Sequence, residues 1–219
     1  MIYEVCDKLI AMNQLQDQDK KTFTDFLRRI FKRILDAIAG FLNRLGVKPM
    51  IVTIFGLIGN LGAGILIATG SMLWGGITAM LIWPLDALDG SIARLRNESS
   101  QYGAFVDAVT DRYSEIAIFG GLLVYFVKVG TLTDILLVFI AAVGSIMVSY
   151  LRAKAESLDF SAKIGLLSRA ERYIVLMPGL IFGYPRVSLW ILAVFSHFTV
   201  LQRFLHVRRQ VKVSKNKLD

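Results

Sequence analysis

From Met50 onward the chain repeats one pattern: apolar stretches near twenty residues long, separated by short polar or charged interruptions. A helix rising 1.5 Å per residue needs about that length to cross a hydrocarbon core of about 30 Å. Six spans are predicted, over 50–69, 72–95, 102–127, 132–153, 170–184 and 187–206. Ahead of them the period changes. Phe23, Phe26, Leu27, Ile30, Phe31, Ile34, Leu35, Ile38, Phe41, Leu42 and Leu45 recur at helical spacing, and Arg28, Arg29, Lys32 and Arg33 fall mostly off that stripe. Such a helix lies in the membrane interface, with its apolar face in lipid. The pattern therefore predicts an all-α integral membrane protein: an N-terminal extension over 1–21, an amphipathic interfacial helix over 22–48, a six-helix transmembrane domain over 49–208 and a basic tail over 209–219.

Charge orients this arrangement. Of the 25 Lys and Arg, only Lys128 and Arg186 fall in loops opposite the termini; Arg94, Arg96, Lys154, Lys163 and Arg169 lie on the same side as both chain ends. By the positive-inside rule that side is cytoplasmic, and the expected location is the plasma membrane. The net charge of +8 reads as topology and contact with anionic membrane lipids. Nucleic acid is not an expected partner, because the basic residues gather at membrane exits and form no separate basic domain. The first twenty residues carry no apolar signal-peptide core, so cleavage is not expected. Cys6 is the lone cysteine, and neither His197 nor His206 has a partner at metal-ligand spacing, which leaves no disulfide framework or zinc site to argue.

One segment breaks the apolar pattern. "DALDGSIARLRNESSQYGAFVDAVTD", residues 86–111, carries Asp86, Asp89, Asp107 and Asp111 at predicted membrane depth. An ionised Asp at the centre of a span costs about 2.5–3.5 kcal/mol even on insertion scales, so four require compensation. Asp86, Asp89, Gly90 and Ala93 share one helical face by offsets of three, four and seven; Gly103, Asp107 and Asp111 form a second stripe at steps of four, which Glu115 continues. Pairing with Arg94, Arg96 and Arg112 would neutralise some of this charge, but it does not account for the small residues beside the acids. Four carboxylates converging from two helices suit hard divalent cations bound through oxygen, two ions sharing carboxylates best of all, with Mg²⁺ or Mn²⁺ as occupant.

The spacing D-x2-D-G-x2-A-R, then after eight residues G-x3-D-x3-D, resembles the signature of the CDP-alcohol phosphotransferases, and Asp86, Asp89, Gly90, Ala93, Arg94, Gly103, Asp107 and Asp111 occupy every defined position. The resemblance implies six transmembrane helices behind a juxtamembrane amphipathic helix, a homodimer, and transfer of a phosphatidyl-type group from a CDP-linked lipid to an alcohol with release of CMP. It further implies that Asp86, Asp89, Asp107 and Asp111 hold metal, and that Asp111 also takes the acceptor's proton. Thr53, Asp89, Gly90, Ala93, Arg94 and Gly103 would contact the CDP-lipid. The family's usual Asn or Asp before this threonine is replaced by Met50.

The acceptor is read from residues 149–176, "SYLRAKAESLDFSAKIGLLSRAERYIVL". Arg152, Lys154, Lys163, Arg169 and Arg172 collect there, as an acceptor bearing a phosphate monoester requires; the same cations also fit a plain positive-inside loop. "SYLRAKAE", "GLLSRAERYIVL" and "LWILAVFSHFTVLQRF" are similar to the phosphatidylinositol-phosphate synthase branch of actinobacteria, with archaeal relatives acting on CDP-archaeol. That likeness implies CDP-diacylglycerol or CDP-archaeol as donor and 1D-myo-inositol 3-phosphate as acceptor, the latter gripped by Arg152, Lys154, Arg169, Arg172 and Arg203. Lys154 stands where the branch has Arg, and Ala170 where it often has Pro. Glycerol 3-phosphate is the alternative acceptor, and a divalent cation transporter the alternative outside this chemistry.

Overall fold

The computed structural model describes residues 37–96 and 100–215, with side chains except at 86, 87 and 213–215. Among the described residues there are eight helices and no strand. The extension over 1–21 lies outside them, as does most of the interfacial helix expected over 22–48; its last part, 37–44, is helical and is α1. There follow α2 (Pro49–Ala68), α3 (Met72–Ile82), α4 (Leu85–Leu95), α5 (Gln101–Val129), α6 (Leu132–Glu156), α7 (Arg169–Ile181) and α8 (Pro185–Lys215).

Three of these are long and apolar enough to cross a membrane: α2, α6 and α8 over Pro185–Lys212. α3 is apolar but shorter. Large apolar side chains such as Phe55, Ile58, Leu81, Trp190 and Phe204 remain exposed on the bundle's outside, where lipid rather than water is the compatible solvent. The single stretch expected over 72–95 is two helices. Pro84 has no N–H to give the Met80 carbonyl, and its ring crowds that carbonyl, so the helix stops at Ile82 and restarts at Leu85. The last helix runs on past 206 to Lys215, since no Gly or Pro interrupts 186–215.

The helix starts are locally encoded. Pro49 opens α2 at a position where its missing donor costs nothing, and the Ser100 hydroxyl accepts from the Gly103 N–H to cap α5. Thr131 and Asp134 form a reciprocal capping box on α6. Asp134 also accepts two bonds from Arg186, at 2.7 and 2.9 Å, tying α6 to the start of α8. α5 packs along α2, and α6 along α8. At the α2–α5 crossing, a Cβ on Gly121 would run into the Gly64 carbonyl, so the two backbones meet through small residues.

The main core lies in the middle of the bundle, with Ala63, Ile67, Ile118, Leu122, Leu180, Leu189 and Leu192 among its buried members. A second, smaller cluster joins α1, α2 and α4 through Ala39, Val52, Leu88 and Ile92. Arg96, just past α4, donates to the Asn43 side chain on α1 at 2.6 Å. The acid-bearing helix α4 thus packs on α1 and α2, whereas α3 packs on α2 and α7.

Candidate active site

α4 and α5 each pack against α2, and a cleft of about 370 Å³ lies among the three. Thr53, Asp89, Gly90, Ala93, Arg94 and Gly103, the residues expected to meet the CDP-lipid, all line it. Asp107 lines it too, as does Met50 at the position where a polar residue is usual. The spacing explains the convergence: one face of α4 and one face of α5 are turned to the same volume.

Asp89 is 6 % exposed and firmly held. The Thr53 hydroxyl donates to its Oδ2 at 2.6 Å, and the Gly90 N–H to its Oδ1 at 2.5 Å. Arg94 reaches back along α4, donating to Ser91 Oγ at 2.9 Å, and its Nη1 lies 3.5 Å from where a Cβ on Gly90 would stand. Glycine there keeps the floor of the cleft open beneath a cationic side chain.

Asp111 lies one turn beyond Asp107 and outside the cleft lining. Its carboxylate meets Arg169 Nη1 at 2.5 Å and Arg112 Nη2 at 3.8 Å. A turn further on, Glu115 is 5 % exposed and Arg172 2 %. Arg172 Nε donates to Glu115 Oε1 at 2.9 Å, the Ser145 hydroxyl donates to the same oxygen at 2.6 Å, and Arg112 approaches Oε2 at 3.7 Å. Acids on α5 and guanidinium groups on α5 and α7 therefore alternate downward from the cleft.

The five cations expected to grip inositol phosphate occupy different settings. Arg169 stands over Asp111. Arg152 is exposed and paired with Glu156 at 3.0 Å, and Lys154 is exposed in the last turn of α6. Arg172 is committed to Glu115, Ser149 Oγ and the Leu167 carbonyl. Arg203, 3 % exposed, donates to the carbonyls of Ile164 and Val148.

Among the described residues no group of three Asp, Glu, His or Cys side chains stands ready to hold a metal ion. Asp86 occupies the first turn of α4, three residues before Asp89, and its side chain lies outside the described ones. The donor chemistry fits a hard divalent cation: the available groups are carboxylates on the two helices that frame the cleft.

Several residues around the site escape a reading of the motif. Lys48 and Tyr102 line the cleft, and Ser100 holds Gly103 in place; a Ser followed three residues later by Gly at a helix start is the only local sign of that contact. Glu115 continues the acidic stripe, but its partner Arg172 lies 57 residues away and cannot be paired with it from spacing.

The CDP-alcohol phosphatidyltransferase family model matches residues 47–202. A phosphatidylinositol phosphate synthase of Mycobacteroides abscessus is 37% identical over 83% of this chain and 86% of its own length. An archaetidylinositol phosphate synthase of Methanothermobacter thermautotrophicus is 30% identical over 84% of this chain and 94% of its own. The crystal structure of Mycobacterium tuberculosis phosphatidylinositol phosphate synthase with CDP-DAG bound superposes with a TM-score of 0.74, at 31% identity, over 80% of this chain and 94% of that one. The same mycobacterial enzyme in complex with manganese and citrate gives a TM-score of 0.74 at 30% identity over 79% and 88%. The family model thus covers all of α2 to α7 and every motif residue around the cleft, and the chain belongs to the CDP-alcohol phosphatidyltransferase family.

Proposed function

We propose that this enzyme is a phosphatidylinositol phosphate synthase: it moves a diradylglycerol-phosphate group from a CDP-lipid to 1D-myo-inositol 3-phosphate and releases CMP. The observation that carries this reading is the convergence of Thr53, Asp89, Gly90, Ala93, Arg94 and Gly103 on one cleft, in a chain 37% identical to a phosphatidylinositol phosphate synthase over most of both lengths.

Asp86, Asp89, Asp107 and Asp111 are the proposed ligands of two divalent ions, Mg²⁺ or Mn²⁺, a reading supported by the manganese complex of the mycobacterial relative. Bound there, such ions supply charge neutralisation of the pyrophosphate and of the departing CMP. The protein does the rest. Thr53 and the Gly90 N–H hold Asp89 in a fixed rotamer, Gly90 and Gly103 let the cytidine approach the helix backbones, and Arg94 neutralises the donor's phosphates. Asp111 takes the proton of the acceptor hydroxyl as that oxygen attacks the lipid-side phosphorus and the bond to CMP breaks. Arg169, beside Asp111, and the exposed Arg152 and Lys154 are the members of the basic set able to meet the acceptor's phosphate directly, while Arg172 and Arg203 shape the region from below. The topology of this reading is six spans behind an interfacial helix in the plasma membrane, both termini and the cleft cytoplasmic, the domain borders at 21, 48 and 208, and the chain a homodimer.

The test is turnover by purified protein of CDP-diacylglycerol, and separately CDP-archaeol, against inositol 3-phosphate, glycerol 3-phosphate, free inositol and serine. CMP release with inositol 3-phosphate far above the others is expected. Preference for glycerol 3-phosphate would move the reading to phosphatidylglycerophosphate synthesis, and equal use of free inositol would remove the phosphate-binding role of the cations.

A further inference from the structure

The segment 157–168 joins the two groups of cations. Arg152 and Lys154 end α6 before it, and Arg169 and Arg172 begin α7 after it, while the segment itself has no helix or strand. Left to itself, an irregular connection of this length samples many conformations, and the distance between the two cation groups would vary with it.

The C-terminal half of α8 prevents this by binding the segment's backbone. Thr199 Oγ1 accepts from the Leu167 N–H at 3.1 Å. Arg203 Nε donates to the Ile164 carbonyl at 2.8 Å, and its Nη1 to the Val148 carbonyl on α6. The Gln210 amide closes a reciprocal pair on Ser161, donating to its carbonyl at 2.6 Å and accepting from its N–H at 3.0 Å. Positions four and eleven residues beyond Thr199 return to within about 40° of it on an α-helix, so the three side chains form one row. Gly165 lies against that row with φ of 128°, where a Cβ would strike Thr199 Cγ2; only glycine satisfies both the backbone angle and the contact.

We propose that Thr199 and Gln210 are positioning residues for acceptor binding: with the Arg203 bond to Ile164 between them, they form a row on α8 that clasps the 157–168 backbone and so sets the spacing between Arg152 and Lys154 on one side and Arg169 on the other. The inference rests on the acceptor reading above. Because the row binds main-chain groups alone, it holds the path of the segment whatever its side chains.

Gln210 is the position to test, being only partly buried and remote from the core. Gln210→Ala, in the full chain, should raise the acceptor KM roughly three- to tenfold, the size of one or two lost hydrogen bonds. Its kcat, its CDP-lipid KM and the thermal unfolding midpoint should stay at wild-type values. A nitroxide placed at Lys163→Cys in a Cys6→Ser background should become more mobile in Gln210→Ala and in Thr199→Ala. An immobile label in both variants, or an equal rise of both KM values, would overturn the clasp. Were wild type to turn over glycerol 3-phosphate instead of inositol 3-phosphate, the acceptor reading would fall, and the same KM split, read on that phosphate ester alongside label mobility, would still decide the clasp.

Discussion

Arg172→Gln separates a binding arginine from a structural one. The substitution removes the bond to Glu115 Oε1 at 2.9 Å, the 3.2 Å bond to Ser149 and the 3.3 Å bond to the Leu167 carbonyl. It leaves Glu115, 5 % exposed, with the Ser145 hydroxyl at 2.6 Å and Arg112 at 3.7 Å. Breaking a buried ion pair by removing one partner costs about 3–5 kcal/mol, mostly because the remaining charge stays buried. Ser145 and Arg112 still serve that charge, which places this case near the lower end, about 3 kcal/mol. In a chain of this size about 1 kcal/mol moves the unfolding midpoint by roughly 2–4 °C, so a fall of about 6–12 °C is expected for the purified protein in detergent. Removing both charges should relieve much of the penalty. Glu115→Gln with Arg172→Gln should sit above the sum of the single changes by about 0.5–3 kcal/mol, the usual coupling of contacting residues. The assay is thermal unfolding followed by tryptophan fluorescence, paired with acceptor KM measured well below each midpoint. A wild-type midpoint in Arg172→Gln together with a 10- to 100-fold rise in acceptor KM would refute the burial argument and make Arg172 a direct phosphate ligand.

Chelation should stop turnover and Mg²⁺ or Mn²⁺ restore it, with Asp89→Asn or Asp107→Asn slowing the reaction at least about 10²-fold; full activity in excess chelator would end the metal reading. Thr53→Ala strips Asp89 of its 2.6 Å donor, so kcat/KM for the CDP-lipid should drop about 10-fold or more, as for a hydrogen bond to a charged group, and Thr53→Ser should restore it. Gly121→Ala puts a methyl group against the Gly64 carbonyl and should destabilise the α2–α5 crossing by about 1–3 kcal/mol, seen as a lower unfolding midpoint; an unchanged midpoint would mean the helices part without cost.

The long apolar helices and the shared face of the first acidic motif were legible from the sequence because both depend on local spacing. Apolar length locates α2, α6 and α8, and offsets of three and four put Asp89, Gly90 and Ala93 on one face whatever surrounds them. Pro84 was equally plain as a helix breaker, although the expected span over 72–95 ran through it. The destinations of Arg172 and Arg203 were not legible. An arginine near a membrane exit looks the same in sequence whether it faces an aqueous phosphate or a buried glutamate, and the choice is made by Glu115 and Val148, 57 and 55 residues away. Asp111 shows the same limit of local reading: its stripe is set by spacing, but the contact with Arg169 depends on how α7 docks.

The small cluster of Ala39, Val52, Leu88 and Ile92, with the Asn43–Arg96 bond beside it, sets where this enzyme can be trimmed. A chain cut back to its membrane-crossing helices, beginning at Pro49, would keep every motif residue and still lose the surface on which α4 rests. With Pro84 already separating α4 from α3, that eleven-residue helix would lose its packing on α1 and lean chiefly on α2, and half of the acidic motif would ride on a loosened strut. The smallest unit able to hold the cleft in shape therefore includes α1, so the short helix ahead of α2 and the helices that carry the motif come as one piece.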